Sequence, residues 1–116
     1  MAKITKYIDP DIHFRVLNAL EENPHITQRE LAQKLGVSLG GVNFCLKALA
    51  EIGHLKINNF RKNSNKSAYL YLLTPTGLSN KAILATSFLK RKMEEYEILK
   101  VEIESLKKSI ILKDRT

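Results

Sequence analysis

Thr27–Leu49, TQRELAQKLGVSLGGVNFCLKAL, decides how the rest of the chain is read. It reads as two short helices meeting at a tight turn, Gly36-Val37-Ser38. Thr27 can cap the first helix while Glu30, three residues on, reaches back to the cap's own N–H, a reciprocal capping box. Leu31, Ala32 and Leu35 then share one face. Gly36 falls where the backbone must leave the helix, a place that favours a residue without Cβ. Ser38 can cap the next helix, whose apolar face is Val42, Cys45, Leu46 and Leu49. Ala32 is small enough for the two helices to approach closely. This is the pattern of a helix-turn-helix, whose usual task is to place its second helix in the major groove of DNA.

The flanks extend the pattern. Asp9-Pro10 is a cap with proline at the first helical position, and it opens a helix to about Glu22 with Ile12, Val16, Leu17 and Leu20 inward. Asn23-Pro24 ends that helix, and His25-Ile26 reads as a short extended link. Beyond Leu49 the second helix of the pair runs to Ile52, with Gly53 as its stop. From Leu55 the period changes to two. Leu55 to Phe60 and Ser67 to Leu73 read as paired strands, with Leu55, Ile57, Leu70 and Leu72 as the alternating apolar set. Tyr69 and Tyr71 fall between, where they would cover the sheet rather than stack bases. The connecting loop, Arg61-Lys62-Asn63-Ser64-Asn65-Lys66, carries three positive charges and no negative one. A strand, a basic loop and a strand directly after a helix-turn-helix make the wing of a winged helix.

Thr74-Pro75 repeats the cap-then-proline signal and opens the longest helix, reaching Ile110 or beyond. At ~1.5 Å per residue, roughly 36 residues span about 54 Å, more than a small domain needs. Leu89, Tyr96, Leu99, Ile103, Leu106 and Ile110 recur along it at heptad spacing, with Lys92 as the one polar interruption. Tyr96, Ile103 and Ile110 fall at the first core position and Leu99 and Leu106 at the second; β-branched residues at the first and leucine at the second favour a parallel two-stranded coil. In that register a parallel dimer pairs Glu95 with Lys100 of its partner and Glu102 with Lys107, whereas an antiparallel one would juxtapose like charges. Exposed pairs of this kind contribute only ~0.2 to 1 kcal/mol each, so they choose orientation while the apolar seam supplies affinity. Ile98 and Val101 lie outside the seam and call for another packing element or a higher oligomer. The plainer alternative is a long solvated helix in a monomer.

A chain of 116 residues with 44% apolar content supports one compact domain plus one extended element. Its formal net charge of +7 and pI of about 9.6 favour a polyanionic partner, nucleic acid first and an anionic membrane second. The charge is segregated. Between Ile52 and Met93 there is no Asp or Glu but eight basic residues: Lys56, Arg61, Lys62, Lys66, Lys81, Lys90, Arg91 and Lys92. Phosphate contact explains such a gap economically; a solvated basic face is the alternative. One cysteine excludes a disulfide framework or a Cys-rich zinc site, and the default setting is reduced and cytoplasmic. Neither a signal-peptide core nor a run of ~18 apolar residues is present, so no membrane span is expected. Cys45 falls on the inward face as a structural thiol. His13, His25 and His54 lack ligand spacing, and no carboxylate pair or nucleophile-base order suggests an enzyme. No cofactor or metal is expected.

The outward positions of the second helix of the pair are the candidate DNA readers. Asn43 suits a bidentate contact to adenine, and Lys47 a guanine edge or a phosphate. Ser38 and the N–H groups beside Gly40 and Gly41 suit a phosphate at a helix N-terminus, and the paired glycines suggest close backbone approach. Leu39 completes that surface. Phe44 either touches a thymine methyl or packs under the wing. On the wing itself the candidates are Arg61, Lys62, Asn63 and Lys66.

Three segments, VNFCLKAL, FRKNSNKSAYLYLLTPTG and FLKRKMEEYEILKVEIESL, resemble the small MarR family regulators associated with exopolysaccharide gene clusters. The resemblance runs from about Asp11 to Ile110. It implies a homodimeric bacterial transcription factor acting near polysaccharide biosynthesis genes. Larger MarR proteins bury a phenolic effector beside extra dimerisation helices; one helix after the wing puts such an effector pocket in doubt here. Their wing carries an acidic residue supporting an arginine, where this chain has Lys62-Asn63-Ser64-Asn65, so the groove-inserting residue stays open.

The expected fold is mainly α with a small β-hairpin: a winged helix-turn-helix domain over residues 9–74, then a dimerisation helix over 75–113 forming a parallel coiled coil. The expected function is regulation of transcription by a homodimer on double-stranded DNA. A winged-helix protein-interaction scaffold, assembled through its coil, is the alternative.

Overall fold

The computed structural model describes residues 8–60 and 68–114. They fall into two compact units, the first extending to Ala85 and the second beginning at Thr86. Helix α1, Pro10–Glu22, starts at a double cap: the Asp9 carboxylate accepts from the N–H groups of Asp11 (2.8 Å) and Ile12 (3.4 Å). Val16, Leu17, Ala19 and Leu20 are buried and Ile12 is half-buried. After α1 the chain turns rather than extends. Asn23 accepts from His25 N–H through its side chain and from Ile26 N–H through its carbonyl, so Pro24-His25 form a closed turn and only Ile26 enters the core.

Helix α2, Gln28–Leu35, has the full capping box: Thr27 Oγ1 accepts from Glu30 N–H, and Glu30 Oε1 from Thr27 N–H, both at 3.0 Å. Those bonds hold the Glu30 carboxyl below the usual carboxylate range. Gly36 ends the helix at φ +71°, in the left-handed region that L side chains rarely adopt. Arg15 of α1 donates to the Leu35 carbonyl at 3.2 Å, satisfying an acceptor that the helix end leaves unpaired. Helix α3, Leu39–Glu51, is capped by Ser38, which accepts from Gly41 N–H at 3.0 Å. Its buried face is Val42, Leu46, Ala48 and Leu49, in one core with Leu17, Leu20, Leu31 and Leu35. Cys45 is half-buried against that core, and burial pushes its thiol up, so it stays protonated and inert.

Strands β1, Leu55–Phe60, and β2, Ala68–Leu73, pair antiparallel. Their register corrects the alternation expected from sequence. Leu55 pairs with Leu73 and Ile57 with Tyr71, so Tyr71 and Leu73 share the inner face, while Leu70 and Leu72 lie opposite Asn58 and Lys56 on the outer one. Tyr71 is only 2% exposed and Leu72 is exposed. The apolar residues at 70, 72 and 73 allow two phases, and the tyrosine buries the larger side chain once its N–H is taken by the Pro24 carbonyl at 2.9 Å.

Helix α4, Pro75–Asp114, begins at a dense junction. The Thr74 hydroxyl donates to the Gly53 carbonyl (2.5 Å) and accepts from Gly77 N–H (3.0 Å), while Thr74 N–H donates to the His54 carbonyl (3.1 Å). Gly53 supplies the turn at φ +84°. Gly77 comes so close that a Cβ there would stand 2.1 Å from the His54 carbonyl oxygen. Lys81, one turn on, pairs with Glu21 of α1. Beside the junction the rings of His54 and His13 stack, with centroids 5.4 Å apart and His54 Nδ1 3.3 Å from His13 Nε2. Both are buried, at 9% and 8% exposure. Burial and the facing His54 ring push His13 down to about 4, and burial lowers His54 as well.

Two outcomes are expected. Gly77→Ala should destabilise the fold by at least about 1–3 kcal/mol in urea unfolding, although alanine is the better helix former; an unchanged midpoint would contradict the contact. His13 is neutral when folded, so its contribution is complete above about pH 6.5 and is lost as pH falls from there to about 4. Stability should therefore drop in that window by up to about 1.4 kcal/mol per pH unit for His13, and His54, lowered as well, acts in the same direction. His13→Leu should flatten the drop, as read from unfolding curves at several pH values.

Candidate nucleic-acid interface

The core takes one face of α3 and leaves the other to solvent. Leu39 (46% exposed), Gly40, Phe44 (49% exposed) and Lys47 lie on the open face, with Ser38 exposed at its head and Asn43 half-buried at its edge.

The two glycines separate on inspection. Gly40 opens to free space, whereas a Cβ on Gly41 would stand 3.1 Å from Ser38 Oγ. Gly41 N–H is taken by that hydroxyl. Only Gly40 keeps close backbone approach as its explanation. Asn43 likewise has a partner inside the protein: its Nδ2 donates to Gln28 Oε1 at 3.2 Å. Gln28 Nε2 in turn donates to the Tyr71 hydroxyl at 3.4 Å. Sequence reading missed this chain because its members lie 15 and 43 residues apart and meet only once α2, α3 and β2 are assembled. The stacked His13–His54 pair, 41 residues apart, escaped for the same reason.

The basic residues also divide. Lys47 and Lys56 are exposed. Lys81 is paired with Glu21 of α1. Arg61, Lys62, Asn63 and Lys66, the expected wing contacts, lie outside the described residues. Lys90, Arg91 and Lys92 belong to the second unit, where Lys92 sits 5.3 Å over the Phe88 ring and 3.2 Å from Glu95. Among the described residues, no three His, Cys, Asp or Glu side chains are placed to hold a metal ion. No helix there is long and apolar enough to cross a membrane.

Comparison with known proteins follows the same outline. Residues 9–55 match the family model described as winged helix-turn-helix DNA-binding. The structure is similar to a MarR/EmrR family transcriptional regulator from Acinetobacter sp. ADP1, with a TM-score of 0.58 at 16% identity over 84% of this chain and 73% of that one. It is similar to a MarR protein from Peptoclostridium difficile DA00132, with a TM-score of 0.59 at 19% identity over 84% and 68%.

The fold is a winged helix-turn-helix, shared with these solved MarR proteins.

The structure is also similar to Lactococcus lactis ZitR, solved in complex with DNA, with a TM-score of 0.57 at 25% identity over 75% of this chain and 57% of that one. No curated protein sequence matches the chain. Within this winged helix, α3 is the second helix of the helix-turn-helix and the β1–β2 hairpin is the wing.

The second unit carries the expected dimerisation residues. Leu89, Tyr96, Leu99, Ile103, Leu106 and Ile110 follow the heptad spacing, and each is at least 43% exposed. Ile98 and Val101 are exposed too, so no described element of the chain packs on them, as the sequence reading had allowed. Glu95 is paired within its own helix with Lys92 at 3.2 Å and Glu104 with Lys107 at 4.0 Å. Such exposed pairs exchange partners at little cost.

Asn43→Ala and Lys47→Ala are expected to cost ~1 to 3 kcal/mol on a preferred duplex where these side chains meet bases. Equal losses on random duplex, measured by fluorescence anisotropy, would assign them to phosphate instead.

Proposed function

We propose that this protein is a bacterial, cytoplasmic transcriptional regulator that binds a pseudo-palindromic DNA site as a homodimer, near genes for polysaccharide biosynthesis. The exposed face of the recognition helix, α3, carries the reading: Leu39, Gly40, Phe44 and Lys47 stand clear, with Asn43 half-buried at their edge, while the opposite face fills the core. The likeness to a winged helix solved on DNA supports it. Polysaccharide genes enter through the resemblance of the three sequence segments alone.

Dimerisation is supported by the apolar stripe of α4. Six large side chains at heptad spacing in water represent an unmet hydrophobic demand, each worth roughly 1.5–3 kcal/mol on full burial. A parallel coil would cover them and bring Glu95 and Glu102 of one helix to Lys100 and Lys107 of the other. Residues 9–74 would then act as the DNA-binding domain and 75–113 as the dimerisation helix, with two recognition helices related by a dyad as a palindromic site requires.

The test is gel-shift titration against the DNA upstream of the protein's own gene. The regulator reading expects binding that is tighter than on random duplex and that weakens steeply with salt. Weak binding insensitive to both sequence and salt would favour a scaffold. The dimer is tested apart from DNA: Leu99→Asp with Leu106→Asp should give monomers in sedimentation equilibrium, and an unchanged dimer mass would refute the seam.

A further inference from the structure

We propose that Gln28, which lies outside the recognition helix, determines sequence specificity by fixing how the Asn43 amide faces DNA, with Tyr71 of the wing strand as its support. The proposal rests on the assignment of Asn43 to a base edge. Gln28 is the first residue of α2 and its backbone follows directly on the Thr27 capping box. Its Oε1 accepts from Asn43 Nδ2 (3.2 Å) and its Nε2 donates to the Tyr71 hydroxyl (3.4 Å). Tyr71 is held on three sides: it is 2% exposed, its N–H is bound to the Pro24 carbonyl, and its ring stacks on Tyr69 at 5.9 Å. One glutamine amide thus joins α2, α3 and β2.

An unrestrained asparagine amide turns end for end easily and presents either its oxygen or its nitrogen to a given base atom, which blurs discrimination. Gln28 Oε1 can only accept, so it holds the nitrogen end of Asn43 on its own side. One Asn43 N–H is used there. With the Gln28 bond made by the N–H anti to Oδ1, the syn N–H and Oδ1 stand side by side, the donor and acceptor that adenine's N7 and N6 require. The Tyr71 hydroxyl can turn to donate or accept, so it steadies Gln28 less strictly than Gln28 steadies Asn43. Gln28 is therefore a positioning residue: it acts on DNA through Asn43.

The experiment uses the full chain. A preferred duplex is selected from a randomised pool, and dissociation constants are measured on it, on its single base-pair variants and on random duplex. Asn43→Ala identifies the base pair that Asn43 reads as the one whose replacement ceases to matter. Gln28→Leu, similar in size but without polar atoms, should reduce discrimination at that same base pair roughly three- to tenfold, leaving other positions and random duplex unchanged. Gln28→Glu keeps the acceptor and should retain the discrimination while its charge weakens binding to every duplex alike. Tyr71→Phe should cause a smaller loss at the same position. Unaltered discrimination in Gln28→Leu, or an equal loss at all positions, overturns the proposal while Asn43→Ala leaves the base assignment standing. Should Gln28→Leu fail to fold, lost discrimination in Gln28→Glu overturns it equally. If Asn43→Ala changes no preference, the base assignment itself fails and takes the proposal with it.

Discussion

The structure of the first unit depends on one close approach, the first turn of α4 against the His54 carbonyl. Gly77 has no side chain because none fits, and the hydroxyl of Thr74 reaches both the end of the recognition helix at Gly53 and the N–H of Gly77. The wing strand ends, the recognition helix ends and the long helix begins within these few residues. Any movement of α4's first turn is therefore passed to the C-terminal end of α3 through backbone contacts, which yield far less than side chains do. The stacked, uncharged histidines pack at the same place, and protonating them introduces charge where there is no room for its hydration. Around His13 and His54 the charged groups of α1 and α4 have their own partners: Arg15 the Leu35 carbonyl, Glu21 Lys81, and Glu22 Lys34.

Much of this was legible in the sequence because it is local. The capping box of Thr27 and Glu30, the left-handed Gly36, the Ser38 cap and the proline at position 10 each follow from neighbours within four residues, and each stands where it was expected. The Thr74-Pro75 signal did open a helix, and Gly53 did end one. The phase of β2 was not legible. Leu70, Leu72 and Leu73 satisfy either face, and what decides is a bond from Tyr71 N–H to Pro24, 47 residues earlier. The site divides in the same way. Which residues of α3 point outward follows from helical spacing alone, whereas the bond that restrains Asn43 comes from a different helix and could not be read from any period.

Two physical demands remain on the surface of this chain, and they are of different kinds. Helix α3 presents a mixed face with one restrained amide, one lysine and two large apolar groups, of the kind that the proposed reading matches to edges and methyls in a groove. The second half of α4 presents a long apolar stripe with charges at its margins, suited to another copy of itself. A dimeric reader of DNA meets both demands at once. A monomeric scaffold would leave the first without a purpose and the second in water.

The most direct test of that account is a hydroxyl-radical footprint of the full-length protein on its selected duplex. The account predicts two protected segments on each strand, related by a dyad and both lost when the seam is broken by charge. A single unpaired footprint, or protection no different from that on random DNA, would contradict it.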